Sequence, residues 1–210
     1  MKKYLKSSKT FRYFTYGDIE KANKLLFVLH GYGQLSEFFI RKFHFLEQDY
    51  FIVAPEGMHR FYLKGSSGRV GASWMTKEDR ESDINDNINY LNQLYDVISS
   101  NKKFDKIILL GFSQGGATAA RWFNSFQRDI DAHISWASVY PPDLALTTHK
   151  RNMNNYFAIG DKDEFFSDQK LKETIFFYKK LNYTTFTFDG KHNIQQFTLK
   201  EILNQININK

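Results

Sequence analysis

Two uninterrupted apolar runs, Leu25 to Leu29 and Ile107 to Leu110, set the first constraint on this chain. Strands made of such residues have no face to offer water, so they belong inside a sheet covered on both sides. A parallel sheet meets that demand, because right-handed crossovers lay helices over both of its faces. Further strands are predicted at Phe51–Ala54 (stopped by Pro55), Ile134–Val139 (ended by Pro141-Pro142), Tyr156–Ile159 and Thr184–Phe188. Ile84, Ile88, Leu91, Tyr95 and Ile98 mark a helix over Asp83–Ser99. Other helices are predicted over Glu37–Gln48, Gln114–Phe126, Gln169–Leu181 and from about Ile194 onward. Phe11–Tyr16 alternates and reads as an outer antiparallel strand ending at Gly17-Asp18, whereas residues 56–75, with no steady period, read as a long loop. The expected architecture is a three-layer α/β/α sandwich on a mostly parallel twisted sheet, with an N-terminal antiparallel hairpin.

No repeat or low-complexity linker divides the 210 residues, so one domain over 1–210 is expected. The chain has no cysteine, which excludes a disulfide framework, a thiolate zinc site and a cysteine nucleophile together. Its net charge of +6 is scattered along the chain, and nothing resembles a basic helix or an aromatic RNA-binding strand, so no nucleic-acid partner is expected. Lys2, Lys3, Lys6 and Lys9 interrupt any signal-peptide core, and no apolar run approaches the roughly 20 residues of a membrane span. The expectation is a cytoplasmic protein without stable membrane insertion, acting as a monomer or homodimer, with no cofactor and no metal.

Gly111-Phe112-Ser113-Gln114-Gly115 falls between the strand Ile107–Leu110 and the helix that begins near Gln114. This G-x-S-x-G pentapeptide has the strand–turn–helix setting in which a serine hydroxyl projects above a sheet edge as a nucleophile. Gly111 and Gly115 leave room where side chains would collide, and the helix N-terminus turns free N–H groups toward a developing oxyanion. A glycine-rich turn that merely contains a serine is the plain alternative.

His30-Gly31-Tyr32-Gly33 follows the other buried strand. Gly31 and Gly33 let the backbone bend close to a substrate, and the two oxyanion donors are assigned to the backbone N–H groups of Tyr32 and Gln114. His30 is read as structural, its imidazole fixing this loop; a simple tight turn is the alternative for the tetrapeptide. Gly160-Asp161-Lys162-Asp163 ends a further strand, and two aspartates compete there as a catalytic acid. Asp161 suits a turn and Asp163 lies further over the sheet edge, although both could be solvated turn residues. Among six histidines, His192 follows the last strand and gives the chain order Ser, Asp, His. His44 falls in a helix, His133 opens a strand, and His59 and His149 fall in loops. In this reading His192 takes the Ser113 proton while Asp163 holds its tautomer.

With these residues placed, the chain resembles the α/β-hydrolase superfamily, and more narrowly the phospholipase/carboxylesterase group that includes acyl-protein thioesterases and small bacterial carboxylesterases. The resemblance rests on Leu29-His30-Gly31-Tyr32-Gly33, Ala54-Pro55-Glu56-Gly57, Gly111-Phe112-Ser113-Gln114-Gly115-Gly116, Gly160-Asp161-Lys162-Asp163 and Gly190-Lys191-His192, in family order. It implies that Asp163 is the triad acid. Members carry an Arg and a Trp-Phe pair after the Ala-Pro strand end; Gly68-Arg69 and Ser73-Trp74-Met75 are similar here but more widely spaced. Phe61, Tyr62 and Trp74 are candidates for an apolar substrate wall, with packing on the core as the alternative. The implied activity is hydrolysis of small carboxylic esters with short to medium acyl chains through an acyl-enzyme on Ser113. Thioesterase or lysophospholipase action is the neighbouring reading, and a non-catalytic binding protein on the same scaffold is the reading from another class.

Overall fold

Along β2 (Lys24–Leu29), Leu26 and Val28 enter one hydrophobic cluster while Leu25, Phe27 and Leu29 enter another, all fully buried. A computed structural model describes residues 1–100, 102–125, 130–144 and 154–208. The remaining strands are β1 (Tyr13–Tyr16), β3 (Tyr50–Pro55), β4 (His59–Lys64), β5 (Ser67–Ser73), β6 (Lys106–Phe112), β7 (Ala132–Trp136), β8 (Asn154–Gly160) and β9 (Thr184–Phe188). The α-helices are α1 (Ser36–Phe39), α2 (Arg80–Ser99), α3 (Gln114–Ser125), α4 (Asp168–Lys180) and α5 (Gln196–Ile208). Among the described residues, seven strands form one sheet in the order β1-β3-β2-β6-β7-β8-β9. Only β1 is antiparallel within it, paired with β3 at the outer edge as its alternation predicts.

Helices cover both faces. α1, the 3-10 helix that follows it and α5 pack over Leu26, Val28, Ile108 and Leu110. α2 and α3 pack over Leu25, Phe27, Ile107 and Leu109, and Tyr178 of α4 stacks on Phe157 of β8 at 3.9 Å. The three-layer α/β/α expectation therefore holds. Among the described residues, no helix is long and apolar enough to cross a membrane.

Several local expectations need correction. The helix predicted over Glu37–Gln48 is instead a short α1 followed by a 3-10 helix, Ile40–Leu46. Ile40, Phe43 and Leu46 recur every third residue and are all buried, and a threefold winding stacks that spacing on one face. The predicted loop 56–75 contains the antiparallel hairpin β4/β5, with Gly65 at φ +61 in its turn, so His59 opens a strand. The strand expected over Ile134–Val139 ends at Trp136, before Ala137 at φ 49. His149 and Phe126 lie outside the described residues.

Glu56 fastens this hairpin to the rest of the fold. Its side chain is 1% exposed and receives Arg12 through two hydrogen bonds of 2.6 and 3.1 Å, Arg60 at 3.3 Å and the Ser36 amide at 3.3 Å. A desolvated carboxylate stays folded inside only while such donors surround it. Arg12→Ala removes two hydrogen bonds to the buried carboxylate from a side chain that is itself half-exposed, and is expected to destabilise by about 2 kcal/mol. Arg60→Ala removes a half-exposed single contact and is expected to cost under about 1 kcal/mol. Urea unfolding midpoints measure both, and equal losses would contradict this ranking.

Candidate active site

Four strand ends deliver the candidate residues to one edge of the sheet. β2 leads directly into His30 and β6 into Ser113, β8 runs into Asp161-Lys162-Asp163, and β9 leads to His192. Trp136, at the end of β7, joins two of them: its carbonyl accepts the Ser113 amide at 2.9 Å and its indole N–H donates to the Asn193 carbonyl at 2.9 Å.

Ser113 has φ +54, a left-handed conformation that a non-glycine residue holds only under constraint. The constraint is crowding. A Cβ at Gly115 would sit 2.4 Å from the carbonyl oxygens of both Leu29 and His30, and one at Gly111 would sit 2.5 Å from that of Gly115. α3 therefore rests directly on the ends of β2 and β6, and the chain can enter it only through a sharp turn.

The loop after β2 lies against that turn, since a Cβ at Gly31 would come within 3.2 Å of Ser113 Cβ. Its amides are accounted for one by one. Gly31 donates to Gln34 Oε1 at 2.9 Å, Gly33 to the Ala72 carbonyl at 2.8 Å and Gln34 to the Gly31 carbonyl at 3.2 Å. Among the described residues, the amides of Tyr32 and Gln114 donate no hydrogen bond. His30 is fully buried; Nε2 accepts the Gly57 amide at 2.9 Å, so Nδ1 carries the proton and donates to the Gly31 carbonyl at 2.8 Å. Its two ring nitrogens thus tie the loop to Gly57.

Asp163 is buried, and its Oδ2 lies 2.7 Å from His192 Nδ1 while its Oδ1 accepts the Phe165 amide at 3.0 Å. Asp161 instead accepts the Gly190 amide at 3.1 Å and closes the turn between the two loops. The His192 ring lies 4.8 Å from that of Phe112, the neighbour of Ser113. Among the described residues, no hydrogen bond joins Ser113 Oγ to His192.

The candidate wall divides. Phe61 approaches Tyr32 with ring centroids 5.1 Å apart, and Tyr62 is 48% exposed on the other side of β4. Trp74 offers no surface to a substrate: it is fully buried in the α2/α3 cluster and its indole N–H donates to the His30 carbonyl at 2.8 Å. Other residues at the site escape sequence reasoning. The Gln114 side chain clamps residues 73–75 through the Met75 carbonyl at 2.9 Å and the Trp74 amide at 3.1 Å. Glu164 accepts the His192 amide at 3.2 Å, and backbone N–H groups, its own and that of His192, hold its carboxyl below the usual range. Phe165 is 72% exposed with its ring 4.5 Å from His192. Proximity in sequence to Asp163 is the one signal that points to the last two. Among the described residues, no cluster of His, Asp and Glu could hold a metal ion.

Residues 14–210 match the Phospholipase/Carboxylesterase family. The chain belongs to that family. Solved structures of similar fold include a Zea mays acyl-protein thioesterase 2, 13% identical with a TM-score of 0.68 over 93% of this chain and 97% of that one. A Bacillus cereus carboxylesterase is 16% identical with a TM-score of 0.65, covering 94% of this chain and 93% of that one. A Dyadobacter fermentans phospholipase/carboxylesterase is also 16% identical, with a TM-score of 0.65 and coverages of 96% and 98%. A search of curated proteins gave no match. In this phospholipase/carboxylesterase family member, the match covers every strand end described above.

Burial pulls the His30 imidazole down from 6.5 to about 4. The folded state thus binds that proton more weakly than the unfolded chain. Its contribution is complete above about pH 6.5 and is lost as pH falls toward 4, amounting to about 3 kcal/mol. Thermal midpoints measured across this range should fall steeply for the parent protein. His30→Gln should start lower at neutral pH and fall less; parallel slopes would acquit His30.

Proposed function

We propose that the chain hydrolyses small carboxylic esters of short to medium acyl length through an acyl-enzyme on Ser113. The observation that carries this reading is the left-handed Ser113, packed against a loop whose Tyr32 amide is unengaged. In this mechanism Ser113 Oγ attacks the carbonyl carbon and His192 Nε2 takes its proton. The negative oxygen is received by the amides of Tyr32 and Gln114. Asp163, bonded at 2.7 Å, keeps the Nδ1–H tautomer and stabilises the imidazolium. Return of the proton releases the alcohol, and water then attacks the acyl-serine by the same route. A serine-to-histidine bond that is open in the free enzyme is compatible with this, because such bonds often tighten only around substrate. Phe61 and Phe165 supply apolar surface beside the reacting carbonyl.

Membership of a hydrolase family supports this chemistry. Thioester cleavage is the second reading, favoured by the structural likeness to a plant acyl-protein thioesterase. Rates on p-nitrophenyl esters of graded chain length, set against acyl-CoA thioesters, separate the two. A fluorophosphonate probe should label the protein and leave Ser113→Ala unlabelled. Asp163→Asn should lower kcat on p-nitrophenyl butyrate by about 10⁴-fold with the fold intact. Undiminished labelling of Ser113→Ala would remove Ser113 as nucleophile, whereas a parent protein that is neither labelled nor active on any ester would favour the binding-scaffold alternative.

A further inference from the structure

Past Gly33 and Gln34, the loop that faces Ser113 borders a surface groove of about 580 Å³, a size that suits part of a small molecule. Phe38, Phe39 and Val70 give it apolar lining, and Lys42 and Arg69 are its charged members. It begins close to the reacting centre. Gln34 holds the Gly31 amide at 2.9 Å, and the Phe39 ring lies 5.8 Å from that of Phe112, next to Ser113. The chain from Gly31 to Gly33 spans at most about 7 Å, within reach of a medium-length substrate.

The two cations come from different elements, Lys42 from the 3-10 helix and Arg69 from β5. Among the described residues neither side chain has an ion pair or a hydrogen bond. Their neighbour Arg41 is engaged, with Glu37 at 3.5 Å and the Phe38 ring at 4.8 Å. Elsewhere Arg12 and Arg60 pair with Glu56, and Arg121 with Asp143. Two unmatched cations beside aromatic and aliphatic lining are complementary to an anion carried on an apolar chain.

We infer that this groove receives a carboxylate or phosphate on the substrate, so that the protein acts on anionic rather than neutral acyl esters. The inference rests on the Ser113 reading above. The charge sits either on the acyl group or on the alcohol, and two probe pairs distinguish these. Mono-p-nitrophenyl adipate is compared with p-nitrophenyl hexanoate, and 4-butyryloxybenzoate with its methyl ester. At low salt, kcat/KM should favour the charged member of at least one pair, and high salt should narrow that preference. The double variant Lys42→Glu/Arg69→Glu should reduce the charged-to-neutral ratio by about tenfold while neutral turnover stays within about twofold. The milder Lys42→Gln/Arg69→Gln should move the ratio the same way by less. An unchanged ratio in both variants overturns the inference and leaves the hydrolase reading standing. So does an equal fall on charged and neutral esters in both variants, which would make the two side chains supports of the fold. A parent protein inert to all four esters and unlabelled by fluorophosphonate overturns the hydrolase reading and this one with it.

Discussion

The rest of the site depends on one close contact, that of the first turn of α3 with the backbone leaving β2. No side chain fits between Gly115 and the carbonyls of Leu29 and His30. Interiors this dense are not continuously deformable, so the spacing between helix and strand is set by backbone alone. That spacing fixes where Ser113 emerges, how near Gly31 comes to it, and which amides remain without an intramolecular partner. Gln114 extends the same contact outward by clasping residues 73–75, and Trp74 reaches back to His30. Helix, loop and hairpin therefore share one set of anchors.

The β4/β5 hairpin stands outside the main sheet yet is tied closely to it. Gly71 meets the Gly33 backbone, Ala72 exchanges hydrogen bonds with Gly33 and Gln34, and Glu56 holds Arg60 at the start of β4. It gives the loop facing Ser113 an outer wall. The same hairpin places Phe61 beside Tyr32 and Arg69 on the groove that Gly33 and Gln34 border.

The buried strands and the mostly parallel sheet were legible, and the residues at the strand ends could be singled out, because each signal is local: an apolar run, then glycine, serine, aspartate or histidine at a short offset. The order of the strands in the sheet depends on long-range pairing and was not legible. His30, Asp161 and Asp163 could be told apart in principle by burial, and the structure gives each a distinct set of partners. The hairpin was not legible, since exposure dominates β4 and the start of β5 and no sustained apolar alternation marks either strand. Trp74 shows the limit of composition. An aromatic residue in a glycine-rich stretch can face a substrate or the core, and only the indole N–H on the His30 carbonyl decides. Glu164 acts through a backbone amide across two loops, a contact that no spacing rule anticipates.

The backbone at position 113 also restricts which side chain can stand there. In the left-handed region a branched Cβ collides with its own main chain, so threonine, the other hydroxyl nucleophile, is excluded on steric grounds. Cysteine would fit, but the chain contains none anywhere. The turn thus admits small unbranched side chains such as serine and disfavours branched ones, whatever their reactivity.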